Sequence, residues 1–203
     1  RLAAKNNRAN DLRTTGQYVP AGVGAADKHG YGNIASAYTF AVHGCCVKVD
    51  TLTGKATVEE YWAAHDAGTI INPIGAAGQV IGGVVQGLGM ALSEATSVAK
   101  SGQLVNPSYV DDRVPTFPDA PHIQVYFSPA FEDNGPVGAK TIGEPPIMPV
   151  AGCVANAIYD AVGVRQNKLP MTPEQVWRTF QDHESPENGI LHEKAEAPAE
   201  SFA

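Results

Sequence analysis

A glycine-rich helical segment constrains this chain more than any other feature of its sequence. From about residue 78 to residue 94 the large apolar side chains recur at helical spacing, at positions 80, 81, 84, 85, 88, 91 and 92. Each glycine inside a helix costs about 1 kcal/mol relative to alanine, and this segment contains Gly82, Gly83, Gly87 and Gly89. We therefore predict a helix whose glycines permit close backbone packing against another element or a bulky ligand.

A β-hairpin is predicted upstream of this helix. Alternating apolar residues indicate a strand within residues 36–50, and residues 56–64 return as a second strand. The intervening residues 50–54 have the composition of a tight turn. A third strand is predicted at residues 123–128, so the sheet extends beyond the hairpin.

Two further helices are predicted toward the C-terminal end. Residues 149–162 carry an apolar stripe with a proline near the start and Gly163 just past the end. The capping box Thr172-Pro-Glu-Gln175 opens a short helix that is expected to run to about Phe180. The predicted fold class is α+β, with a β-hairpin in a mixed sheet packed against glycine-rich buried helices.

The chain divides into three predicted parts. Residues 1–30 are polar and without clear periodicity, which indicates a connecting segment, and residues 31–181 form the folded domain. Residues 182–203 are charged and poor in large apolar side chains, which is typical of a flexible acidic tail or of an arm laid on a partner. The chain starts at Arg1 without a methionine, and we expect a fragment or one piece of a split subunit.

Composition argues against several classes of function. The net charge of −7 argues against a nucleic-acid partner, because binding phosphates requires a basic surface. A membrane span and a cleavable signal are not expected from the distribution of apolar residues. The six histidines and three cysteines show no metal-ligand spacing, so no metal ligation by side chains is expected. An odd cysteine count predicts no disulfide framework and a reduced, cytoplasmic setting.

The candidate catalytic residue is Glu144, in the run Gly143-Glu-Pro-Pro146. A residue that precedes proline avoids the α region, so an extended backbone is expected at Glu144. Gly143 leaves room for another group to approach, and a rigidly held carboxylate beside an opening suits a general base. Taken alone, these four residues are more often a surface turn.

Several motifs, in order along the chain, carry a family resemblance. They include Gly78-Gln-Val-Ile-Gly-Gly-Val-Val-Gln-Gly-Leu-Gly89 and Gly138-Ala-Lys-Thr-Ile-Gly-Glu-Pro-Pro146. Shorter ones lie at residues 66–73, 112–115, 156–163 and 169–174. Together they resemble the C-terminal portion of the molybdenum-binding subunit of the xanthine dehydrogenase and aldehyde oxidase family, over roughly residues 40–180.

The resemblance implies the C-terminal part of a molybdopterin-binding domain in a multi-subunit molybdenum hydroxylase. Such an enzyme oxidises an N-heteroaromatic or aldehyde substrate with water-derived oxygen. The implied cofactor is molybdopterin, with its cytosine dinucleotide form left open, and its pterin rather than protein side chains holds the metal. A 2Fe-2S cluster and FAD are expected on partner chains or domains. The implied partners are the remaining part of the molybdenum subunit, an iron–sulfur subunit, a flavin subunit and the small-molecule substrate.

The same resemblance implies roles for individual residues. Glu144 maps to the general base and Gln79 to a contact with the pterin cofactor. The other cofactor-binding positions, which would line the cavity through their backbone, are Lys140, Thr141, Ile142 and Gly143. On spacing alone, Gln79 is equally well explained as a helix N-terminal cap, and Lys140 is more often a solvated or salt-bridged lysine.

A non-catalytic assembly subunit that retains the fold is the alternative from a different class. Glu144 discriminates between the two, because a degenerate copy is expected to lose its base before it loses its helices. The retention of Glu144 beside Gly143 and two prolines favours the hydroxylase.

Overall fold

The computed structural model describes residues 15–109 and 111–184. Its regular elements are β1 (Phe40–Val49), β2 (Ala56–Asp66), α1 (Pro73–Leu92), β3 (His122–Phe127), α2 (Val150–Val162) and α3 (Pro173–Glu184). Short 3₁₀ turns lie at Phe117–Asp119, Pro136–Gly138 and Pro145–Ile147. Residues 1–14 of the predicted connecting segment and 185–203 of the predicted tail lie outside the described residues.

The three strands form one mixed sheet in the order β1-β2-β3. The β1–β2 hairpin is antiparallel, with Phe40 opposite Asp66 and a register shift between Cys46 and Val47. Strand β3 pairs with β2 in parallel, which requires the long connection that contains α1. The predicted hairpin, third strand and α+β class are therefore confirmed.

One face of the sheet packs against the helices. Strand alternation directs Tyr61, Ala63 and His65 of β2 to that side, where all three are buried. The helices fill the other half of this core with Val80, Val84, Val150, Val154 and Ile158, each fully buried. The opposite face of the sheet carries exposed apolar side chains, among them Phe40, Val42 and Tyr126.

Two glycines of α1 permit the close packing that the sequence predicts. A Cβ on Gly83 would stand 2.7 Å from Cβ of Pro146, and one on Gly87 would stand 2.6 Å from Cβ of Val150. Real side chains do not approach so closely, so α1 meets the Pro145–Ile147 turn and α2 only because both positions lack a side chain. Gly82, by contrast, faces open space in the described structure.

Helix α1 begins earlier than predicted. It starts at Pro73 rather than near residue 78, and Oδ1 of the N-cap residue Asn72 accepts a hydrogen bond from the Gly75 amide at 3.0 Å. The first turns consist of small residues, so the large apolar periodicity on which the prediction relied starts only at Val80. Asn before Pro was the usable signal, because Asn favours the N-cap and Pro the first helical position. Gln79 is therefore not the helix cap.

The extended backbone predicted at Glu144 is wrong. Glu144 has φ −88° and ψ −36°, which are right-handed helical values, and it precedes the Pro145–Ile147 turn. Its carbonyl accepts a hydrogen bond from the Ile147 amide at 3.2 Å. That bond, together with the burial of Pro146 against Gly83, offsets the steric preference of a residue that precedes proline.

The two C-terminal helices agree with prediction in position and partly in length. Helix α2 is followed by the C-cap residue Gly163, which has the left-handed φ of 72° that favours glycine. At α3 the Thr172 hydroxyl accepts a hydrogen bond from the Gln175 amide at 3.3 Å, as one half of the predicted capping box requires. Helix α3 extends to Glu184 instead of ending near Phe180.

Helix α1 is long and apolar enough to cross a membrane, with a mean hydropathy of 1.3. Helices buried inside globular proteins have the same length and composition, and Val80 and Val84 of α1 are fully buried against the core. The absence of a membrane span stays a prediction from the sequence.

Candidate functional site

The segment that carries Glu144 is attached to the end of β2. The Lys140 amide donates to the Ala67 carbonyl at 2.9 Å, and the Thr69 amide donates to the Gly138 carbonyl at 2.8 Å. Gly68 has φ 62°, and a Cβ at this position would collide with the Gly138 carbonyl. A glycine is therefore required where the two segments cross, and the crossing fixes the start of the 138–146 run.

Lys140 anchors this segment through an internal ion pair. Its Nζ lies 2.6 Å from Oδ2 of Asp66 and donates to the Tyr38 carbonyl at 3.0 Å. Its side chain is only 9% exposed. The hydrogen bond from Lys140 holds the pKa of Asp66 below its usual range. Lys140 is therefore a salt-bridged lysine, as the simpler interpretation of the sequence predicted, and its ammonium group is engaged within the chain.

The remaining predicted residues occupy different environments. Thr141 is exposed, and its carbonyl accepts a hydrogen bond from the Thr39 hydroxyl at 3.3 Å. Ile142 is partly buried and packs against the core. Gly143 and Glu144 are exposed, so the backbone passes from the core to the surface immediately before the carboxylate.

Gln79 lies beside Gly143, although the two are 64 positions apart in the sequence. A Cβ on Gly143 would stand 3.9 Å from Oε1 of Gln79, the only neighbour within 4 Å there among the described residues. Neither the Gln79 amide nor the Glu144 carboxylate forms a hydrogen bond or ion pair within residues 15–109 and 111–184. The structure thus places the Gln79 amide beside Gly143, the residue that precedes Glu144, and all three residues are exposed.

This arrangement fits a polar ligand with both donors and acceptors. A glutamine side chain offers two donors and an acceptor, and the missing side chain at Gly143 leaves the backbone accessible next to it. Glu144 adds a carboxylate that can accept a proton. In the part of the chain that the structure describes, no group of three His, Cys, Asp or Glu residues could hold a metal ion.

Sequence reasoning missed a polar network beneath the sheet. Nδ1 of His43 lies 2.8 Å from the Tyr61 hydroxyl, and Nε2 of His43 lies 2.8 Å from Nε2 of His65. Burial, followed by the proximity of His65, lowers the pKa of His43 to about 4, and burial lowers the pKa of His65. The hairpin register could have revealed the network, because it places these residues on the same face of neighbouring strands.

Two cysteines also meet there. Sγ of Cys45 on β1 lies 3.5 Å from Sγ of Cys153 on α2, and both thiols are free. The distance between them along the chain had suggested no relationship, but the packing of α2 on β1 brings them into contact. Cys46, the neighbour of Cys45 in the strand, is exposed.

The outer sheet face, which we define as Phe40, Val42, Trp62 and Tyr126, is apolar and open. Phe40 is 68% exposed, Val42 75% and Tyr126 53%. An exposed cluster of this kind marks an interaction surface more often than isolated apolar residues do.

Comparison with known proteins identifies similar domains. A family model described as "Molybdopterin cofactor-binding domain" matches residues 1–121, a range that includes Gln79 and ends before Lys140. The chain is 42% identical over 133 residues to a putative xanthine dehydrogenase molybdenum-binding subunit from Escherichia coli, a match that covers 65% of this chain and 18% of that protein. It is 34% identical to a nicotine 6-hydroxylase large subunit from Paenarthrobacter nicotinovorans, over 77% of this chain and 20% of that one.

A solved structure shows the same fold. The aldehyde oxidoreductase from Desulfovibrio gigas superposes with a TM-score of 0.77 at 30% sequence identity. The match covers 87% of this chain and 20% of that protein. The chain therefore spans about a fifth of the length of the proteins it matches.

Proposed function

The chain belongs to the molybdopterin cofactor-binding domain family, and on that premise we propose that it supplies part of the active site of a molybdenum hydroxylase. One observation carries the proposal: Gln79 and the Gly143–Glu144 pair meet on one exposed face, with Oε1 of Gln79 3.9 Å from the position of a Cβ on Gly143. The amide that we propose to bind the cofactor thus lies beside the residue that precedes the proposed base.

Glu144 is proposed to act as the general base. Its exposed carboxylate accepts the proton of a water-derived oxygen as that oxygen bonds to an electron-poor carbon of the substrate. The bound molybdenum cofactor supplies the two-electron redox chemistry. The turn at Pro145–Ile147 and the buried Pro146 hold the Glu144 backbone in place, so the position from which its side chain starts is fixed.

Gln79 is proposed to hydrogen-bond the edge of the pterin, which presents donors and acceptors that an amide can match. The backbone from Lys140 to Gly143 lines the same space. The Lys140 side chain does not bind the ligand in this proposal. Its ion pair with Asp66 holds this backbone against the end of β2.

We propose an N-heteroaromatic compound or an aldehyde as the substrate. The names of two similar proteins support this choice, one a nicotine 6-hydroxylase and the other an aldehyde oxidoreductase. Both substrate classes contain a carbon that is electron-poor because it is bonded to nitrogen or oxygen, which is the carbon that an oxygen nucleophile attacks.

The remaining part of a molybdenum subunit is proposed to cover the outer sheet face. The match covers only 18% and 20% of two similar proteins, and the exposed Phe40, Val42 and Tyr126 provide an apolar surface for such a neighbour. Iron–sulfur and flavin subunits are proposed as the route by which electrons leave. Three free thiols support a reducing, cytoplasmic location.

Molybdenum content and turnover test the proposal together. The protein is purified with the chains that accompany it, and about one molybdenum per copy is expected. Replacement Glu144→Gln is expected to leave the molybdenum content near normal and to reduce kcat by about a thousandfold or more, because the base is lost while the shape is kept. The exposed Glu60 on β2 provides a control, and Glu60→Gln should leave kcat unchanged.

Two results would contradict the proposal. Near-normal turnover of the Glu144→Gln variant would remove Glu144 from the chemistry. A complex that is otherwise intact but contains no molybdenum would instead indicate that the fold serves assembly only.

A further inference from the structure

We propose that Cys45 and Cys153 form a reversible disulfide when the protein meets a hydroperoxide, which cross-links strand β1 to helix α2. The two sulfur atoms are already 3.5 Å apart and belong to separate elements of the sheet–helix interface. A disulfide requires them to approach to about 2.05 Å. This inference does not depend on the role proposed for Glu144.

The surroundings of Cys153 favour the thiolate that such chemistry needs. The contact between the Cys153 and Cys45 sulfurs, followed by the nearby Tyr61 hydroxyl, lowers the pKa of Cys153 to about 7 against the opposing effect of burial. The same contact, together with burial, raises the pKa of Cys45. Cys153, whose pKa is the lower of the two, is therefore the attacking sulfur.

The polar network fixes Tyr61 in the position that this role requires. Tyr61 is fully buried, and its hydroxyl lies 2.8 Å from Nδ1 of His43. When Tyr61 donates to Cys153, His43 donates from Nδ1 to the Tyr61 oxygen, and its Nε2 accepts from His65 at 2.8 Å. The hydrogen bond to His43 therefore holds the Tyr61 hydroxyl in place beside Cys153.

The reaction balances with hydrogen peroxide as the oxidant. The Cys153 thiolate attacks one peroxide oxygen, a sulfur–oxygen bond forms, the oxygen–oxygen bond breaks, and the departing hydroxide takes a proton to become water. The Cys45 sulfur then attacks the sulfenic sulfur of Cys153, and the second hydroxide leaves with the Cys45 proton as water. Two thiols lose two electrons, and one peroxide becomes two waters.

The cross-link would join the sheet to the helix that follows the Glu144 turn. Helix α2 begins at Val150, directly after the segment that contains Pro145–Ile147. Both cysteines are half-buried rather than sealed in the core, so a molecule as small as a peroxide can reach them in the described structure. A bond between residues 108 positions apart restricts the unfolded chain strongly and should raise the Tm.

The test treats the complete protein, with its accompanying chains, with hydrogen peroxide. Mass spectrometry should show this chain losing the mass of two hydrogens, and proteolysis should yield a peptide that joins Cys45 to Cys153. Dithiothreitol should reverse the change. Cys45→Ser and Cys153→Ser should abolish it, and Cys46→Ser, the matched control one residue away, should leave it intact.

A rate measurement distinguishes this geometry from simple proximity. Tyr61→Phe removes the hydroxyl that stabilises the thiolate while it keeps the ring, so it should slow disulfide formation several-fold at neutral pH. A disulfide that involves Cys46, irreversible oxidation of Cys153 without cross-linking, or a cross-link that persists in Cys153→Ser would each overturn the proposal.

Discussion

Gly83 of α1 lies directly against Pro146, so that a Cβ on Gly83 would stand 2.7 Å from Cβ of the proline. Pro146 is buried and follows Glu144 by two residues. The position of the candidate base therefore depends on the missing side chain of a glycine on another element. Gln79 stands one helical turn earlier on α1, so the same contact also positions Gln79 relative to the turn that follows Glu144.

Gly83→Ala should displace the turn that carries Glu144. The backbone must shift to admit the methyl group, and we expect a loss of about 1–3 kcal/mol in the free energy of unfolding together with a clear fall in kcat. Urea denaturation and steady-state kinetics measure the two effects. Gly152→Ala in α2 is the matched control, because no atom of another element within residues 15–109 and 111–184 lies within 4 Å of its new methyl group. Equal behaviour of the two variants would contradict the steric argument.

Gln79→Ala should weaken cofactor binding without removing the base. The amide has no partner within the described residues, so its loss should cost the fold little and lower molybdenum occupancy or modestly reduce turnover. Molybdenum per chain and kcat per bound molybdenum separate the two effects. A variant with unchanged occupancy and unchanged turnover would show that Gln79 does not contact the cofactor.

Local patterns were sufficient to predict much of this fold. The hairpin, β3, α2 and the start of α3 follow from alternation, capping residues and a C-terminal glycine, all of which act within a few residues. Helix α1 was predicted too short, because its first turns contain no large apolar side chain. Glu144 was predicted in the wrong backbone region, because the local steric preference of a residue that precedes proline is overridden by the contact between Pro146 and Gly83.

The site was only partly predictable for a similar reason. Family resemblance, rather than spacing, suggested Gln79 and Glu144, and only the fold brings Gln79 beside Gly143. The partner of Lys140 could not be foreseen, since Asp66 lies 74 positions away. The contact between Cys45 and Cys153 likewise depends on how α2 packs against the sheet.

Asp66→Asn should reduce stability by a nearly constant amount across the neutral range. The hydrogen bond from Lys140 holds the pKa of Asp66 below its ordinary value of 3.8, so the stabilisation is present above that value and is lost as the pH falls through the lower, folded-state pKa. We expect a loss of about 1.5–3 kcal/mol at neutral pH, because a charged hydrogen bond is removed and the buried Lys140 ammonium loses its counter-charge. Denaturation at several pH values above about 5 should give the same difference in the free energy of unfolding between variant and wild type at each pH.

A difference in stability that changes steeply with pH within that range would contradict this assignment. The Gly68 amide donates to Asp66 at 3.1 Å, and Asn keeps an oxygen that can accept this bond. The Asp66→Asn substitution therefore removes only the ion pair with Lys140. Asp66→Ala, which also removes this second bond, should be less stable than Asp66→Asn.

The pair His43 and His65 should instead make the free energy of unfolding change with pH. Burial lowers the pKa of His43 from 6.5 to about 4, so the folded state binds fewer protons than the unfolded state between these two values. The stability that comes from the neutral ring is complete above pH 6.5 and is lost as the pH falls toward 4. The replacement His43→Gln removes a group that binds a proton in the unfolded state but not in the folded state. It should therefore reduce the slope of unfolding free energy against pH by up to about 1.4 kcal/mol per pH unit. His65 titrates in the same direction and should leave part of the slope in the variant. A variant with the full wild-type slope would show that His43 is not held neutral beneath the sheet.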